Sequence, residues 1–272
     1  MILAIIQARM SSTRLPGKVM MKIRDKPLLY YVINQTLHSQ KIDKIVVATT
    51  NLQQDDQIVQ AANQYGVDTY RGSEEDVLDR YYQCAIKYNP NIIVRLTSDN
   101  PLNDPHLIDK CMSEFEKNHF DYISNTNKQE NKHNVFYQCG YPLGFAVEVF
   151  TFTALKKSWG NAKKPSEREH VTQYILNNPQ FFKIGNIENI TDNSDIRLSV
   201  DHQVDFDLVK IVIEHFEQNE IFTLEKIISF FNKNPKLKQM NSHLDFREGY
   251  LKSLEKDKSS SKNPTSNSHI YL

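Results

Sequence analysis

The chain has 272 residues, 39% of them hydrophobic, which is long enough to bury the core of one large domain. Thirty-three lysines and arginines balance 33 aspartates and glutamates, so the net charge excludes a general attraction to nucleic acid or to an anionic membrane. The three cysteines form no CxxC pair, which argues against a zinc site or disulfide framework and favours a reducing cytoplasm. The sequence shows no signal-peptide pattern and no apolar run of about 18 residues, so we expect a cytoplasmic protein without a membrane partner.

Strand-like and helix-like patterns alternate through the first 120 residues. Short apolar runs predict strands at 2–6, 44–48, 67–70 and 92–96, and helical periodicity predicts helices at 27–38, 54–65, 75–88 and 105–117. This βαβαβαβα order predicts an α/β fold with an open, mostly parallel sheet and helices on both faces.

The alternation changes after about residue 121. The patterns predict strands at 121–124, 145–150, 181–187 and 196–200, and helices at 166–176, 204–216 and 224–231. We expect a main domain over 1–215 with its two halves meeting near residue 120, and a helical extension over 216–255. The Ser/Asn/Lys-rich segment 256–272 is predicted to be disordered.

The loop after the first predicted strand is rich in cations and hydrogen-bond donors. Residues 6–18 read IQARMSSTRLPGK, with two arginines, one lysine, three hydroxyls and a Pro-Gly break. Arginine matches phosphate oxygens bidentately, and such a loop is where phosphates bind in open α/β sheets. The run fits neither GxxxxGK[ST] nor GxGxxG, and a solvated basic turn is the alternative. We predict that this loop binds a nucleotide through Ala8, Arg9, Ser12, Arg14 and Lys18.

Asp99 and Asp201 each follow a predicted strand. The carboxyl ends of parallel strands line the ligand crevice, and Mg²⁺ takes one or two carboxylates with phosphate and water oxygens. Both aspartates are therefore candidate ligands of Mg²⁺, the cofactor that we expect. The alternatives are a turn or cap role for Asp99 and a helix-cap role for Asp201.

The run RGSEEDVLDRYY, residues 71–82, joins a glycine turn to a charged helix start. Ser73 is the predicted N-cap, and the acidic residues after it suit the helix macrodipole. Arg71, Asp79 and Arg80 have no such local role; they could face a base or ribose, or form a surface ion-pair network. We predict Arg71, Ser73 and Asp79 as nucleotide-binding residues.

A polar set in the second half fits a second substrate. Gly144 directly precedes a predicted strand and Glu148 lies in it, and a glycine at a strand often marks a close ligand approach. Arg168, Glu169 and His170 lie in a predicted helix, and His170 could equally be a structural histidine. We predict Gly144, Glu148, Glu169 and His170 as sugar-binding residues.

The chain resembles the cytidylyltransferases that activate acidic sugars. Its first loop fills every position of the ARxxSTRLPGK motif of the CMP-Kdo synthetases (3-deoxy-manno-octulosonate cytidylyltransferases). The runs RGSEEDVLDRYY, IVRLTSDNPLNDP and EREHVT resemble the SpsF-type spore-coat polysaccharide proteins of the same superfamily, as does NSHLDFREGYLKSL after residue 241. The likeness covers about residues 1–215.

The resemblance implies a nucleotide-diphospho-sugar-transferase-like fold, with a nucleotide half over about 1–120 and a sugar half over about 121–215. It also implies that the loop cations hold the triphosphate, that Asp99 and Asp201 bind magnesium, and that Arg9, Lys18 and Asp99 serve catalysis. The Kdo enzymes have a GDEP-type segment where this chain has SDNP, so only the aspartate transfers. Their sugar-pocket residues do not map cleanly onto this chain.

The expected activity is transfer of CMP from CTP to an acidic sugar of the Kdo, sialic or related nonulosonic type, with release of pyrophosphate. The resemblance places it in surface polysaccharide or glycan synthesis and makes a homodimer an expectation. The alternatives are a nucleotidyltransferase that uses another nucleotide, a nucleotide-sugar-dependent glycosyltransferase, and a non-catalytic binding module.

Overall fold

A seven-stranded mixed sheet forms the centre of the computed structural model, which describes residues 1–126, 139–218, 220–245 and 247–262. The strands are β1 (Ile2–Gln7), β2 (Lys22–Ile23), β3 (Lys26–Pro27), β4 (Lys44–Thr50), β5 (Asp68–Gly72), β6 (Ile92–Thr97), β7 (Tyr122–Ser124), β8 (Glu148–Thr151) and β9 (Ile184–Asn186). The sheet order is β5-β4-β1-β6-β8-β7-β9, and β2 pairs with β3 in a small separate ribbon. β8 runs antiparallel to both of its neighbours, while the other neighbouring strands of the sheet pair in parallel.

Helices cover both faces of this sheet, as predicted. They are α1 (Leu28–Leu37), α2 (Asp56–Gln64), α3 (Val77–Tyr88), α4 (Pro105–Asn118), α5 (Phe152–Asn161), α6 (Pro165–Glu169), α7 (Gln173–Asn177), α8 (Gln203–His215), α9 (Leu224–Lys233) and α10 (Glu248–Lys262). Successive residues of a strand point to opposite faces, so Ala4 and Ile6 pack in one hydrophobic cluster and Leu3 and Ile5 in the other. The first cluster is covered by α1, α2, α4, α8 and α9, and the second by α3, α5 and α7. Within the described ranges, every helix is too short or too polar to span a bilayer.

Two predicted elements of the second half are absent from the described structure. The helix predicted at 166–176 is broken into α6 and α7, because Val171 between them has φ +57°, a conformation outside the α-helix. The segment 196–200 is no strand: it is extended, and only Arg197 forms an isolated bridge, to Leu143.

Three predictions about helix ends are also corrected. The N-cap of α3 is Asp76 rather than Ser73, and its carboxylate accepts a hydrogen bond from the Asp79 N–H at 2.9 Å. Asp201 does not cap α8; Asp205 in its first turn accepts from the Asp201 and His202 N–H groups. Residues 256–262, predicted to be disordered, form the last two turns of α10, and residues 263–272 lie outside the described residues.

Candidate active site

The cation-rich loop after β1 is fixed by a buried carboxylate. Asp55, before α2, accepts the Met10 N–H at 2.9 Å and also accepts from Thr49 and Thr50. Burial raises the pKa of Asp55, but these hydrogen bonds outweigh it and hold the pKa below its ordinary value. Gly17, in the left-handed conformation at φ +71°, returns the chain to Met10 through an N–H to O hydrogen bond of 2.9 Å. The loop therefore folds over the carboxyl end of β1.

Lys18 lies between the two predicted metal ligands. Its Nζ is 3.2 Å from Asp99 Oδ2 and 2.9 Å from Asp201 Oδ1, and it donates to the carbonyl of Val200 at 2.6 Å. Burial lowers the pKa of Lys18, but the carboxylates of Asp99 and Asp201 outweigh this effect, so its pKa lies above 10.5. The structure therefore brings together the ends of β1, β6 and the extended segment 196–200.

Asp201 is surrounded by positive charge. Besides Lys18, it contacts Arg14 Nη2 at 2.5 Å and Arg197 Nη2 at 3.4 Å. Burial raises the pKa of Asp201, but Lys18, Arg14 and Arg197 outweigh burial and hold the pKa below 3.8. Asp201 is thus a buried carboxylate that stays ionised because three cations surround it.

A cleft of about 520 Å³ opens above these residues. Eight of the predicted site residues line it: Ala8, Arg9, Ser12, Arg14, Lys18, Asp99, Glu169 and His170. Asp201 borders the cleft through its contacts with Arg14 and Lys18. Loop and strand-end residues from the first half and α6 residues from the second thus face one space.

Three predicted nucleotide-binding residues lie outside the cleft lining. Arg71 donates to the carbonyls of Thr50 and Leu52 and to Asp56, so it ties β5 to the segment before α2. The Ser73 hydroxyl accepts the Asp76 N–H at 3.0 Å. Asp79 accepts from Trp159 Nε1 at 2.8 Å and from Gln83. Arg71 therefore binds protein groups next to α2, and Ser73 and Asp79 bind protein groups around α3.

Gly144 and Glu148 also lie outside the cleft lining. Gly144 has φ +108°, and a Cβ built on it would lie 2.7 Å from the Leu198 carbonyl carbon, so the close approach that the glycine permits is to backbone. Glu148 is buried and ion-pairs with Arg95, and its other oxygen accepts from Tyr122 Oη at 2.7 Å and Thr172 Oγ1 at 2.6 Å.

Four further cations line the cleft that the sequence did not assign to the site: Arg80, Arg95, Lys252 and Lys256. For Arg80 the sequence left open a role in the site or in a surface ion-pair network, but only 2% of the residue is exposed. Arg95 interrupts the apolar strand IIVRL, and a charge in a buried strand is a usable signal. The lysines belong to α10, for which the sequence pattern predicts no position.

His170 is held neutral inside the cleft wall. The Ser253 hydroxyl donates to the Tyr250 carbonyl at 2.7 Å, so its oxygen accepts from His170 Nε2, 3.0 Å away. We therefore infer that Nδ1 is the acceptor of the neutral ring. Burial lowers the pKa of His170 from 6.5 to about 4, against the opposing effect of Glu169.

Comparison with known proteins identifies the family. The cytidylyltransferase family model matches residues 3–256, nearly the whole chain. The chain belongs to the cytidylyltransferase family. It is therefore a CTP-dependent nucleotidyltransferase, as the loop motif indicated.

Individual relatives agree with this assignment. The chain is 42% identical over 245 residues to the uncharacterized protein MJ1063 of Methanocaldococcus jannaschii, covering 89% of this chain and 95% of that protein. It is 32% identical to the spore coat polysaccharide biosynthesis protein SpsF of Bacillus subtilis, covering 86% of this chain and 95% of that protein. A 3-deoxy-manno-octulosonate cytidylyltransferase of Geobacter sulfurreducens is 35% identical over 119 residues, 43% of this chain and 46% of that enzyme. The solved structure of a cytidylyltransferase from Leptospira borgpetersenii superposes with a TM-score of 0.79 at 32% identity, over 88% of this chain and 96% of that one.

Proposed function

We propose that this cytidylyltransferase transfers CMP from CTP to a hydroxyl of an acidic sugar and releases pyrophosphate. The observation that carries the proposal is the convergence of Arg9, Arg14 and Lys18 with Asp99 on one cleft at the carboxyl edge of the sheet. The relationship to a 3-deoxy-manno-octulosonate cytidylyltransferase and to SpsF supports an acidic sugar of surface polysaccharide synthesis as the acceptor.

The chain's own residues act by positioning and charge neutralisation. The acceptor oxygen forms a bond to the α-phosphorus, the bond to pyrophosphate breaks, and the hydroxyl proton leaves to solvent. Arg9, Arg14 and Lys18 neutralise the triphosphate and the leaving pyrophosphate, which lowers the barrier with little covalent chemistry from the protein. Asp99 and Asp201 keep Lys18 charged and directed at the cleft.

Asp99 and Asp201 are also the residues that would hold Mg²⁺. The donor chemistry fits, because the two carboxylates lie together at the edge of the cleft, 3.2 and 2.9 Å from the same Lys18 ammonium. Two carboxylates are few for a protein-only site, so the ion would take its other oxygens from phosphate and water. When bound, the ion supplies charge neutralisation on the phosphates.

Nucleotide selectivity tests the first half of the proposal. Thermal unfolding is measured with magnesium and each of CTP, ATP, GTP and UTP, for the natural protein and for Lys18→Met. CTP at about a hundred times its dissociation constant should add roughly 2.7 kcal/mol to the unfolding free energy, and the variant should lose most of this gain. The matched control is Lys22→Met, because Lys22 is exposed on β2 outside the cleft lining.

Pyrophosphate release from CTP with a panel of sugar acids tests the second half. Lys18→Met should lower the rate about a hundredfold at saturating CTP, and Lys22→Met should leave it unchanged. An equal response to all four nucleotides, or an unchanged rate in Lys18→Met, would contradict the proposal. Release that required a neutral sugar would reject the acidic acceptor and keep the transfer chemistry.

A further inference from the structure

The cations that line the cleft fall into two groups. The loop group, Arg9, Arg14 and Lys18, is assigned to the triphosphate above. A second group comes from other elements: Arg80 on α3, Arg95 on β6, and Lys252 and Lys256 on α10. Two of these cations, Arg95 and Lys256, lie at the same end of the cleft as Glu169 and His170 of the α6 end. These four residues also influence one another electrostatically, since Glu169, Arg95 and Lys256 all contribute to the pKa of His170. The proposed assignment of the loop cations to the triphosphate leaves Arg95 and Lys256 without an assigned ligand group.

Arg95 is oriented but not fully satisfied. Its Nη1 donates to one oxygen of Glu148, and the other oxygen accepts from Tyr122 and Thr172. These hydrogen bonds fix the position of the Arg95–Glu148 pair. Its Nε is buried and has no hydrogen-bond partner in the part of the chain that the structure describes. A buried guanidinium N–H without a partner costs free energy, so Arg95 keeps hydrogen-bonding capacity that an anion entering this end of the cleft would use. The planar fork of arginine suits a carboxylate in particular.

Lys256 extends the same end of the cleft from α10. Gly249, Lys252 and Lys256 follow the i, i+3, i+7 spacing of one helix face, and all three line the cleft. The Lys256 side chain is 61% exposed and its Nζ lies 3.1 Å from Glu169. A surface ion pair of this kind contributes about 0–1 kcal/mol, so a ligand anion can replace Glu169 at little cost.

We propose that Arg95 and Lys256 form an acceptor anion subsite, which binds the acid group of the sugar while the loop cations bind the nucleotide. The inference rests on the proposed function and deepens it, because it assigns acceptor selectivity to named residues. Glu148 is the positioning residue of this subsite, since it holds Arg95 without lining the cleft. His170 adds a neutral hydrogen-bonding group beside the two cations, suited to a sugar hydroxyl.

Separate subsites also solve an electrostatic problem. The triphosphate and the acid group repel each other, and in a low-dielectric cleft the repulsion is larger than in water. Placing a dedicated cation pair at the β6–α10 end lets both anions bind in one cleft. An acceptor that lacks the acid group leaves Arg95 Nε unpaired and is selected against.

The test measures sugar binding directly and needs no turnover. The full chain is titrated calorimetrically, with saturating α,β-methylene CTP and magnesium, against two probes, 3-deoxy-manno-octulosonate and N-acetylneuraminate, and against the methyl ester of each. The natural protein should bind at least one acid about tenfold more tightly than its ester, a difference of about 1.4 kcal/mol. The ratio of the two dissociation constants is the readout, because a purely structural role of Arg95 would not change it.

Variants show which residues produce the preference for the acid over its ester. Lys256→Met should weaken binding of the acid about tenfold and leave the ester unchanged, whereas Lys258→Met, an exposed lysine of the same helix outside the cleft lining, should change neither. Arg95→Lys keeps the charge and loses the fork, so the acid-to-ester preference should fall. The double variant Arg95→Met/Glu148→Gln avoids leaving a buried carboxylate unpaired and should abolish the preference in a folded protein.

The two proposals fail in different ways. If neither acid binds, or acid and ester bind equally, or the variants weaken both equally, the subsite is refuted while CTP binding stands. If the variants weaken the CTP analogue instead, Arg95 and Lys256 belong to the nucleotide site and the subsite is again refuted. If CTP itself fails to bind the natural protein, the proposed function falls first.

Discussion

Lys18 shows at the residue scale how the site is held together before any ligand binds. A buried ammonium needs compensation, and here two carboxylates from distant parts of the chain supply it. Asp201 in turn needs Arg14 and Arg197, and Arg197 is fixed by Asp205 through an Nε–Oδ1 contact of 2.9 Å. Successive ion pairs therefore connect α8 to the loop after β1, and they hold the loop cations in place.

His170 should make stability depend on pH. Its pKa is about 4 in the folded protein and 6.5 in the unfolded chain, so between these values the unfolded chain binds a proton that the folded chain does not. The contribution is fully present above pH 6.5 and is lost as pH falls towards 4, by at most about 1.4 kcal/mol per pH unit. Urea unfolding of the natural protein and of His170→Gln between pH 4 and 7.5 measures it, and the variant should show the shallower slope.

The control for this prediction is His106→Gln, because His106 is exposed on α4. That variant should keep the slope of the natural protein. Carboxylates with lowered pKa values, such as Asp55, Asp201 and Asp205, are present in all three proteins, so their contribution cancels when the slopes are compared. Equal slopes in the natural protein and His170→Gln would contradict a neutral, half-buried His170.

Part of the residue-level site follows from sequence alone. The adjacency of Lys18, Asp99 and Asp201 was predictable in outline, because a loop and two segments that end at the same sheet edge meet there. Arg71 was not predictable, since a long side chain binds whichever carbonyls lie within reach. Lys256 was not predictable either, because its place depends on how α10 packs on α6, through contacts such as Ser166 Oγ to Asp257 at 2.6 Å.

At the scale of elements, local patterns succeed where the chain alternates regularly and fail where tertiary contacts decide. Within residues 2–118 the four predicted strands and four predicted helices are present, and β1, β4 and β6 carry apolar runs. The β2–β3 ribbon was not predicted, because its two-residue strands carry no such run. The segment 196–200 has the same apolar character, yet its N–H groups bind elsewhere: Leu198 N–H donates to Leu143 O and Val200 N–H to Asp99 O, both within 2.8 Å. Apolar content therefore predicted its burial but not its pairing.

Gly144 is the element-scale position that this packing makes sensitive. Its φ of +108° and the 2.7 Å approach to Leu198 leave no room for a Cβ, so Gly144→Ala should destabilise the protein by about 2–4 kcal/mol. The variant should also displace the segment that carries Asp201 and lower the rate of pyrophosphate release. Urea unfolding and the release assay measure the two effects.

Gly160→Ala is the matched control. Gly160 lies in α5, and a Cβ built there meets nothing within 4 Å, so the substitution should stabilise by about 0.5–1 kcal/mol. Equal effects of the two substitutions would show that the contact between Gly144 and segment 196–200 does not limit stability.

At the scale of the whole molecule, the chain beyond residue 215 is part of the same core. Phe222, Ile227, Phe230 and Phe231 belong to the hydrophobic cluster that contains residues of β1. The predicted boundary at 215 thus falls between elements that share buried surface. Since α10 lines the cleft as well, the C-terminal segment contributes to both stability and the site.

Ile227→Ala tests this unity, because the residue lies in α9 and is fully buried. Removing a buried Ile side chain should cost about 2–5 kcal/mol of unfolding free energy. Trp159, the only tryptophan of the sequence, lies in α5 on the opposite face of the sheet and stacks on Tyr82. If the molecule unfolds as one unit, the fluorescence midpoint of Trp159 in urea should fall together with the circular dichroism midpoint.

Glu225→Ala, a substitution of an exposed residue in the same helix, is the control and should leave both midpoints nearly unchanged. A fluorescence midpoint that stayed in place while the dichroism transition split in two would mean that α9 unfolds separately. The membership of α9 and β1 in one hydrophobic cluster argues against that outcome, since loss of α9 would expose apolar residues of that cluster.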